Sequence, residues 1–192
     1  MKTDIILAGV GGQGILSIAT VIGHAALADN LYLKQAEVHG MSQRGGDVMS
    51  CLRLSDAPIC SDLIPTGKVD LVISLEPMEA LRYVHLLAPD GKIISSTETF
   101  VNIPDYPQSE ALMAELESIP GAITLPAEAI AREVATPRSS NMALLGAAAP
   151  FCGLPVEALE ESIRTVFASK GQKIVDDNLA AFRAGLDYSK KH

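Results

Sequence analysis

The sequence has no tryptophan, and aromatic residues make up only 4% of its 192 residues. A core must therefore be built from alanine, valine, isoleucine and leucine, which suits small-residue helices packed closely on a sheet. Hydrophobic residues reach 48% of the chain, which excludes disorder and allows a sizeable core. The length, without internal repeats or low-complexity linkers, predicts a single domain over residues 1–192.

Cysteine and basic residues are also scarce. The three cysteines, Cys51, Cys60 and Cys152, are widely spaced and form no Cys-x-x-Cys pair. Thiolates of this chain alone therefore cannot assemble a zinc site or an iron–sulfur cluster. Lysine and arginine total 15 against 23 acidic residues, a formal charge of −8, which argues against nucleic acid or an anionic membrane as partner.

Apolar runs long enough to cross a bilayer are missing, because stretches such as residues 142–152 are short and rich in alanine and glycine. Residues 1–4 lead directly into a strand-like run, without the pattern of a secretory signal. With the odd number of cysteines, this favours a reducing, cytoplasmic location. The mean hydropathy of +0.25 is high for a chain without a membrane span, and either surface hidden against a partner or a large buried core would give it.

The apolar patterns predict a Rossmann-like, three-layer α/β domain with a mostly parallel sheet and C-terminal helices. Residues 5–8 have the continuous apolar character of a buried strand, and a glycine turn and an apolar helix at 15–28 follow. The alternating run 48–54 is predicted to be an antiparallel strand at the sheet edge. Further strands are predicted at 31–38, 69–74, 92–95 and 122–125, and further helices at 76–87, 109–118, 127–134, 139–151, 155–167 and 170–188.

The turn at residues 9–14 fits the phosphate-binding pattern G-x-G-x-x-G. Glycine allows positive φ angles and leaves no Cβ in the way of a phosphate, while the free N–H groups of the following helix favour anions. A dinucleotide fold also needs an acid at the end of its second strand, and Glu37 is the candidate. Three interpretations stay open: a dinucleotide site, a site for another anion, or glycines that only permit close packing or shape a partner surface.

The polar loop at residues 37–46 is chemically the richest segment. The Arg44 guanidinium, beside Ser42 and Gln43, can bind a carboxylate or phosphate through two hydrogen bonds, and His39 can either transfer a proton or only form a hydrogen bond. The alternative is a hairpin-like loop in which Arg44 is solvated or paired locally. If the first two strands are parallel neighbours, their carboxyl ends bring both glycine turns to one edge of the sheet.

The other histidines and Cys51 are assigned structural places. His24 falls within an apolar helix, His85 at a helix end and His192 in the C-terminal tail, while Cys51 alternates within a strand and is predicted to be core. No complete catalytic set is visible, so no residue is predicted to be catalytic and none to bind a metal.

The two loops together resemble the γ domain of pyruvate/2-oxoacid:ferredoxin oxidoreductases. Residues 9–14 follow a first strand, and the run His-Gly-Met-Ser-Gln-Arg-Gly-Gly at 39–46 is most similar to the β subunits of the indolepyruvate type. Residues 141–146 and 178–185 are similar to the C-terminal helices of that family. The resemblance covers nearly the whole chain.

This resemblance implies a non-autonomous subunit of an enzyme that oxidatively decarboxylates a 2-oxoacid, with indolepyruvate or another aryl pyruvate favoured, to an acyl-CoA. It implies a large α subunit that holds thiamine diphosphate and iron–sulfur clusters, ferredoxin as acceptor through the complex, and coenzyme A as co-substrate. This chain alone is expected to hold no cofactor. The rival hypotheses are a free-standing Rossmann-type nucleotide-binding oxidoreductase and a regulatory module that clamps an anionic metabolite.

We therefore expect the two turns to converge on one rim of the sheet, where they would face the partner subunit, the substrate or coenzyme A. The candidate residues of this edge are Gly9, Gly11, Gly12, Gln13, Gly14, His39, Ser42, Gln43, Arg44, Gly45 and Gly46.

Overall fold

The computed structural model describes residues 1–40 and 45–191. Within these residues, six strands form one sheet in the order β2-β3-β1-β4-β5-β6. The strands are β1 (Lys2–Val10), β2 (Tyr32–His39), β3 (Asp47–Ser55), β4 (Val69–Ser74), β5 (Leu87–Ser96) and β6 (Ala122–Leu125). The α-helices are α1 (Ile15–Ala28), α2 (Pro77–Arg82), α3 (Ser109–Ser118), α4 (Ala127–Val134), α5 (Ser140–Ala148), α6 (Val156–Phe167) and α7 (Gln172–Ser189).

The sheet is mostly parallel, as predicted. β1, β4, β5 and β6 run side by side in one direction, and only β3 is antiparallel to its two neighbours, β1 and β2. Two expectations were wrong: β3 lies inside the sheet while β2 forms the edge, and β1 and β2 are not neighbours. A short connection joins β2 to β3, so the two pair as a hairpin and β3 comes to lie between β1 and β2.

Helices cover both faces of the sheet, which gives the three predicted layers. Alternate residues of β1 point to opposite faces: Ile5 and Leu7 belong to the larger core, beneath α1 and α4 to α7. Ile6 and Ala8 belong to a smaller core that includes Ala80 of α2 and Leu116 of α3. The C-terminal helices therefore share one face with α1.

The predicted helix 76–87 is shorter in the structure. α2 ends at Arg82, a single 3₁₀ turn follows at Val84–Leu86, and β5 already begins at Leu87. Residues 89–91 therefore fall inside β5, where the register against β4 shifts. A Cβ on Gly91 would lie 2.7 Å from the Val69 carbonyl oxygen, so glycine permits the close approach of the two strands.

The structural assignments of Cys51 and His24 are confirmed. Cys51 is buried in β3, and burial raises the pKa of its thiol, which disfavours the nucleophilic thiolate. His24 of α1 places Nδ1 3.1 Å from the Ser162 hydroxyl of α6. His85 lies in the 3₁₀ turn after α2, and His192 falls outside the described residues. Across the described residues, none of the helices has both the length and the apolar character needed to cross a bilayer.

Candidate functional site

The two glycine turns meet at the carboxyl edge of the sheet. The Gly11 N–H donates to the Gly46 carbonyl at 2.8 Å, and the Gly45 N–H donates to the Gly11 carbonyl at 3.4 Å. β1 and β2 run in the same direction on either side of β3, so their carboxyl ends share this edge. The expected convergence on one rim is therefore present, although the first two strands are not adjacent. Ser42, Gln43 and Arg44 lie outside the described residues.

Gly12 and Gly14 have different structural roles in the first turn. Both have positive φ angles, +103° and +87°, which side chains rarely adopt. A Cβ on Gly12 would meet no atom within 4 Å, whereas one on Gly14 would lie 2.4 Å from Nδ2 of Asn141. The backbone at Gly12 is thus open to a ligand, while Gly14 is needed for packing against α5.

Gln13 and Gly9 turn inward rather than toward a ligand. The Gln13 side chain accepts a hydrogen bond from the Val10 N–H at 2.7 Å and donates to the Leu75 carbonyl at 3.3 Å. A Cβ on Gly9 would come within 2.9 Å of Oε1 of Gln13. These two candidate residues therefore fix the shape of the turn and join it to the end of β4.

Two asparagines that the sequence analysis missed hold the turns from outside. Asn102 donates from Nδ2 to the Gly45 carbonyl at 2.8 Å, and Asn141 donates from Nδ2 to the Gly14 carbonyl at 3.2 Å. Each turn thus has a side-chain partner from a distant part of the chain, which fixes backbone that has few packing atoms of its own.

Between the turns opens a cleft of about 450 Å³, which we call the turn cleft. Its size lies in the range of small-molecule sites. His39 is exposed there, with Nδ1 3.3 Å from the Gly40 carbonyl oxygen, and the Glu37 carboxylate accepts a hydrogen bond from Gln35 at 2.6 Å. The lining residues are Val10, Gly11, Gly12, Gly14, Ile15, Leu16, Glu37, His39 and Val48.

The position of Glu37 disfavours a dinucleotide. A dinucleotide fold carries its ribose-binding acid on the strand next to β1. Here β3 occupies that place, so Glu37 lies on a strand two positions, or about 10 Å, away from β1. Its carboxylate is also engaged by Gln35.

A buried carboxylate marks the next strand end along the same edge. Glu76 follows β4 and is fully buried; it accepts hydrogen bonds from the N–H groups of Glu79 at 2.9 Å and Phe100 at 3.4 Å, and from the Tyr106 hydroxyl. Burial and the bond to Glu76 raise the pKa of Tyr106, which keeps that phenol protonated. The sequence analysis missed this network, whose only local signal was an acid before Pro77, a helix N-cap pattern.

Glu79 is a buried carboxyl group without such partners. Its side chain is fully buried, and neither oxygen has a hydrogen-bond partner among the described residues. Arg82 lies 2.9 Å from one oxygen, as an ion pair that is not aligned for a hydrogen bond, and its own side chain is half exposed. Burial outweighs Arg82 and raises the pKa of Glu79 above its ordinary value near 4.5.

We expect Glu79→Gln to stabilise the protein at neutral pH. Because the folded pKa is the higher one, the folded state binds more protons than the unfolded state once the pH exceeds about 4.5, so the wild-type free energy of unfolding falls as pH rises. Glutamine does not ionise, so the variant keeps this stability. Its free energy of unfolding should exceed that of the wild type by about 1 kcal/mol at pH 7.5 and by little at pH 4.5. Urea unfolding at both pH values measures the difference.

Glu128→Gln is the matched control, because the Glu128 carboxylate is half exposed and paired with Arg132. Its effect should stay within about 0.5 kcal/mol at both pH values. A Glu79→Gln protein that is less stable than the wild type at pH 7.5 would contradict the prediction.

Metal-binding geometry is lacking in the part of the chain that the structure describes. No group of three or more histidine, cysteine, aspartate or glutamate side chains lies close enough to hold an ion. Cys51 lies in β3, Cys60 is exposed after β3, and Cys152 is buried beyond α5, where burial raises its pKa to about 12. These residues do not fit an iron–sulfur cluster.

Residues 4–188 match the family described as "Pyruvate ferredoxin/flavodoxin oxidoreductase". The chain belongs to this family. A protein named "Indolepyruvate oxidoreductase subunit IorB" from Methanothermobacter thermautotrophicus is 35% identical over 97% of both chains. A protein of the same name from Archaeoglobus fulgidus is also 35% identical, over 97% of this chain and 95% of the relative. The resemblance inferred from the two loops is confirmed.

Solved structures of the ferredoxin oxidoreductase family share the fold. The γ subunit of a keto/oxoacid ferredoxin oxidoreductase from Geobacter sulfurreducens superposes with a TM-score of 0.74 at 22% identity, over 99% of each chain. A 2-oxoglutarate:ferredoxin oxidoreductase from Magnetococcus marinus, solved with 2-oxoglutarate, coenzyme A and succinyl-CoA bound, gives a TM-score of 0.77 at 21% identity. That match covers all of this chain and 31% of the other. The predicted Rossmann-like fold is confirmed.

Proposed function

We propose that this chain is the small subunit of a cytoplasmic 2-oxoacid:ferredoxin oxidoreductase that acts on indolepyruvate or a related aryl pyruvate. In this proposal it completes the active site of a large subunit, which holds thiamine diphosphate and iron–sulfur clusters and passes electrons to ferredoxin. The similarity to two proteins named as indolepyruvate oxidoreductase subunits supports the substrate class. Among the described residues, the turn cleft has polar groups but no complete catalytic set, which suits a subunit that needs a partner.

The observation that carries the proposal is an apolar rim beside the turn cleft. Leu16 at the start of α1 lines the cleft and is 49% exposed. Val38, at the end of β2 on the opposite face of the strand from Glu37 and His39, is 52% exposed. A second group of exposed apolar side chains consists of Phe100, Val101 and Ile103. It lies at the same rim, because Asn102 within this segment bonds to Gly45. Exposed apolar side chains gathered around a cleft are typical of a protein-binding surface.

The first turn suits an anionic group of the substrate or of coenzyme A. Gly12 leaves its backbone open, and the following helix α1 has no acidic residue in its first turn and no side-chain cap. Its free N–H groups and the positive end of its dipole therefore favour a negative charge. In this arrangement Gly11, Gly12 and His39 position and enclose the ligand, while thiamine diphosphate on the partner supplies the decarboxylation chemistry.

Reconstitution tests the proposal. The purified chain alone should oxidise no aryl pyruvate, and mixing it with its large subunit should raise indolepyruvate-dependent, coenzyme-A-dependent reduction of methyl viologen by about a hundredfold or more over the large subunit alone. Phenylpyruvate and pyruvate serve as comparison substrates. Equal rates with and without this chain would refute the proposal, and micromolar binding of NADH or NADPH by the chain alone would favour the free-standing enzyme.

A further inference from the structure

A second cleft lies among the helices, where the first turns of α1, α5 and α7 come together. Its volume is about 490 Å³, which again lies in the range of small-molecule sites. We call it the helix-end cleft. Its lining residues are Ser17, Thr136, Arg138, Ser139, Asn141, Met142, Phe167, Lys170, Lys173, Ile174, Asp177 and Asn178.

The charge of this cleft opposes the charge of the whole chain. Three cations, Arg138, Lys170 and Lys173, line it against one acid, Asp177, although the chain carries a net charge of −8. Asp177 is paired with Lys173 at 2.7 Å. Arg138 and Lys170 have no carboxylate partner among the described residues. Two cations are therefore free to bind an anion.

The helix ends add neutral donors of the same polarity. Gly171 is the N-cap residue of α7, whose first turn contributes Lys173 and Ile174 to the cleft; α7 has no side-chain cap and no acidic residue in its first turn. The free N–H groups and the positive dipole end of α7 therefore favour an anion. Ser139 also lines the cleft and is only 3% exposed, yet its hydroxyl has no hydrogen-bond partner among the described residues. This hydroxyl can donate a hydrogen bond to an anion in the cleft.

The floor of the cleft is apolar. It consists of Met142, Phe167 and Ile174. The ammonium nitrogen of Lys170 lies 5.1 Å from the centroid of the Phe167 ring. This contact holds the charged end of a flexible side chain near the cleft. An organic body can therefore rest on the floor while its charged group reaches the cations.

We propose that the helix-end cleft binds the phosphate group of a phosphorylated small molecule of nucleotide size. A phosphate carries up to two negative charges and several acceptor oxygens, which match the cations, the Ser139 hydroxyl and the helix N–H groups. A free nucleotide and coenzyme A share this chemistry. The proposal does not depend on the proposed function, because the isolated chain contains every group it uses.

Calorimetry on the purified full chain tests it, with inorganic pyrophosphate, ADP and coenzyme A as probes. The double variant Arg138→Gln/Lys170→Gln should weaken pyrophosphate binding about tenfold or more, because it removes the two unpaired cations. The single variant Arg138→Lys, with Lys170 unchanged, should keep most of the wild-type affinity for pyrophosphate. Thermal melts of each variant confirm that the chain remains folded.

Lys68→Gln/Lys191→Gln is the control, because it removes the same charge at distant places. Lys68 precedes β4 at the amino edge of the sheet, and Lys191 follows α7, whose 18 residues span about 27 Å. Its pyrophosphate affinity should stay within about twofold of wild type. Equal weakening in both double variants, or no binding of any probe up to millimolar concentration, overturns the proposal. If coenzyme A binds more tightly than ADP, the ligand of the cleft is coenzyme A. The reverse order indicates a free nucleotide.

Discussion

Leu16→Glu should lower the affinity of this chain for the large subunit by roughly a hundredfold, which corresponds to about 2.7 kcal/mol of binding free energy. Leu16 lies in the first turn of α1, lines the turn cleft and is 49% exposed. If the apolar rim docks on the partner, the substitution buries an unpaired carboxylate and removes an apolar contact at the same time. The fold should not suffer, because the side chain already reaches solvent.

The measurement is a titration of the chain into a fixed amount of large subunit, with the rate of viologen reduction as readout. It yields the apparent dissociation constant and the rate at saturation separately. We expect the dissociation constant to rise; any fall in the rate at saturation reports the added negative charge beside the N–H groups of α1 rather than docking. A normal dissociation constant would place the docking surface elsewhere on the molecule.

Leu27→Glu is a closely matched control. Leu27 belongs to the same helix, is 62% exposed, and lies eleven residues, or about 16 Å, further along it. Eleven residues are close to three full turns, so both leucines point to the same side of α1. Leu27→Glu should leave the affinity within about twofold of wild type. Similar losses in both variants would indicate a general effect of added charge, rather than docking at the rim.

The meeting of the two turns could be predicted from the sequence, because a glycine turn after a buried strand belongs at the carboxyl edge of the sheet. The strand order could not. Strands consecutive in sequence are usually neighbours, and this favoured β1 beside β2. Alternation within residues 48–54 signalled β3 but does not say whether a strand is an edge or an inner one. The better signal was β2 itself, which carries Lys34 and Glu37 and is largely exposed, as edge strands often are.

The partners of the turns were harder to find. Asn102 bonds to Gly45 across 57 residues, and Asn141 bonds to Gly14 across 127. No periodicity or motif spacing relates residues so far apart, since only tertiary packing brings them together. Gln13 shows the reverse error: its place inside a glycine motif suggested a ligand contact, but both ends of its amide are engaged by backbone groups.

Gly185→Ala should destabilise the protein by about 3 kcal/mol or more, which would lower the melting temperature by roughly 10 °C. α5 and α7 touch through their backbones at two glycines. A Cβ on Gly185 would lie 1.8 Å from the Ala143 carbonyl oxygen, and one on Gly146 would lie 1.9 Å from the Phe182 carbonyl oxygen. Backbone cannot rotate away as a side chain can, so the helices must separate and open the core between them. This cost exceeds the roughly 1 kcal/mol that alanine gains over glycine in a helix.

Gly23→Ala in α1 is the control, because its Cβ would meet only the flexible end of Leu33, at 3.1 Å. Its effect on the free energy of unfolding should stay within about 1 kcal/mol. Urea unfolding measures the free energy of unfolding of both variants. Equal losses would mean that α5 and α7 are not in backbone contact. The contact also bears on the helix-end cleft, since Asn141 of α5 and Lys173 of α7 both line it. A variant that pushes these helices apart should therefore lose pyrophosphate affinity even where it remains folded, with all three cations still in place.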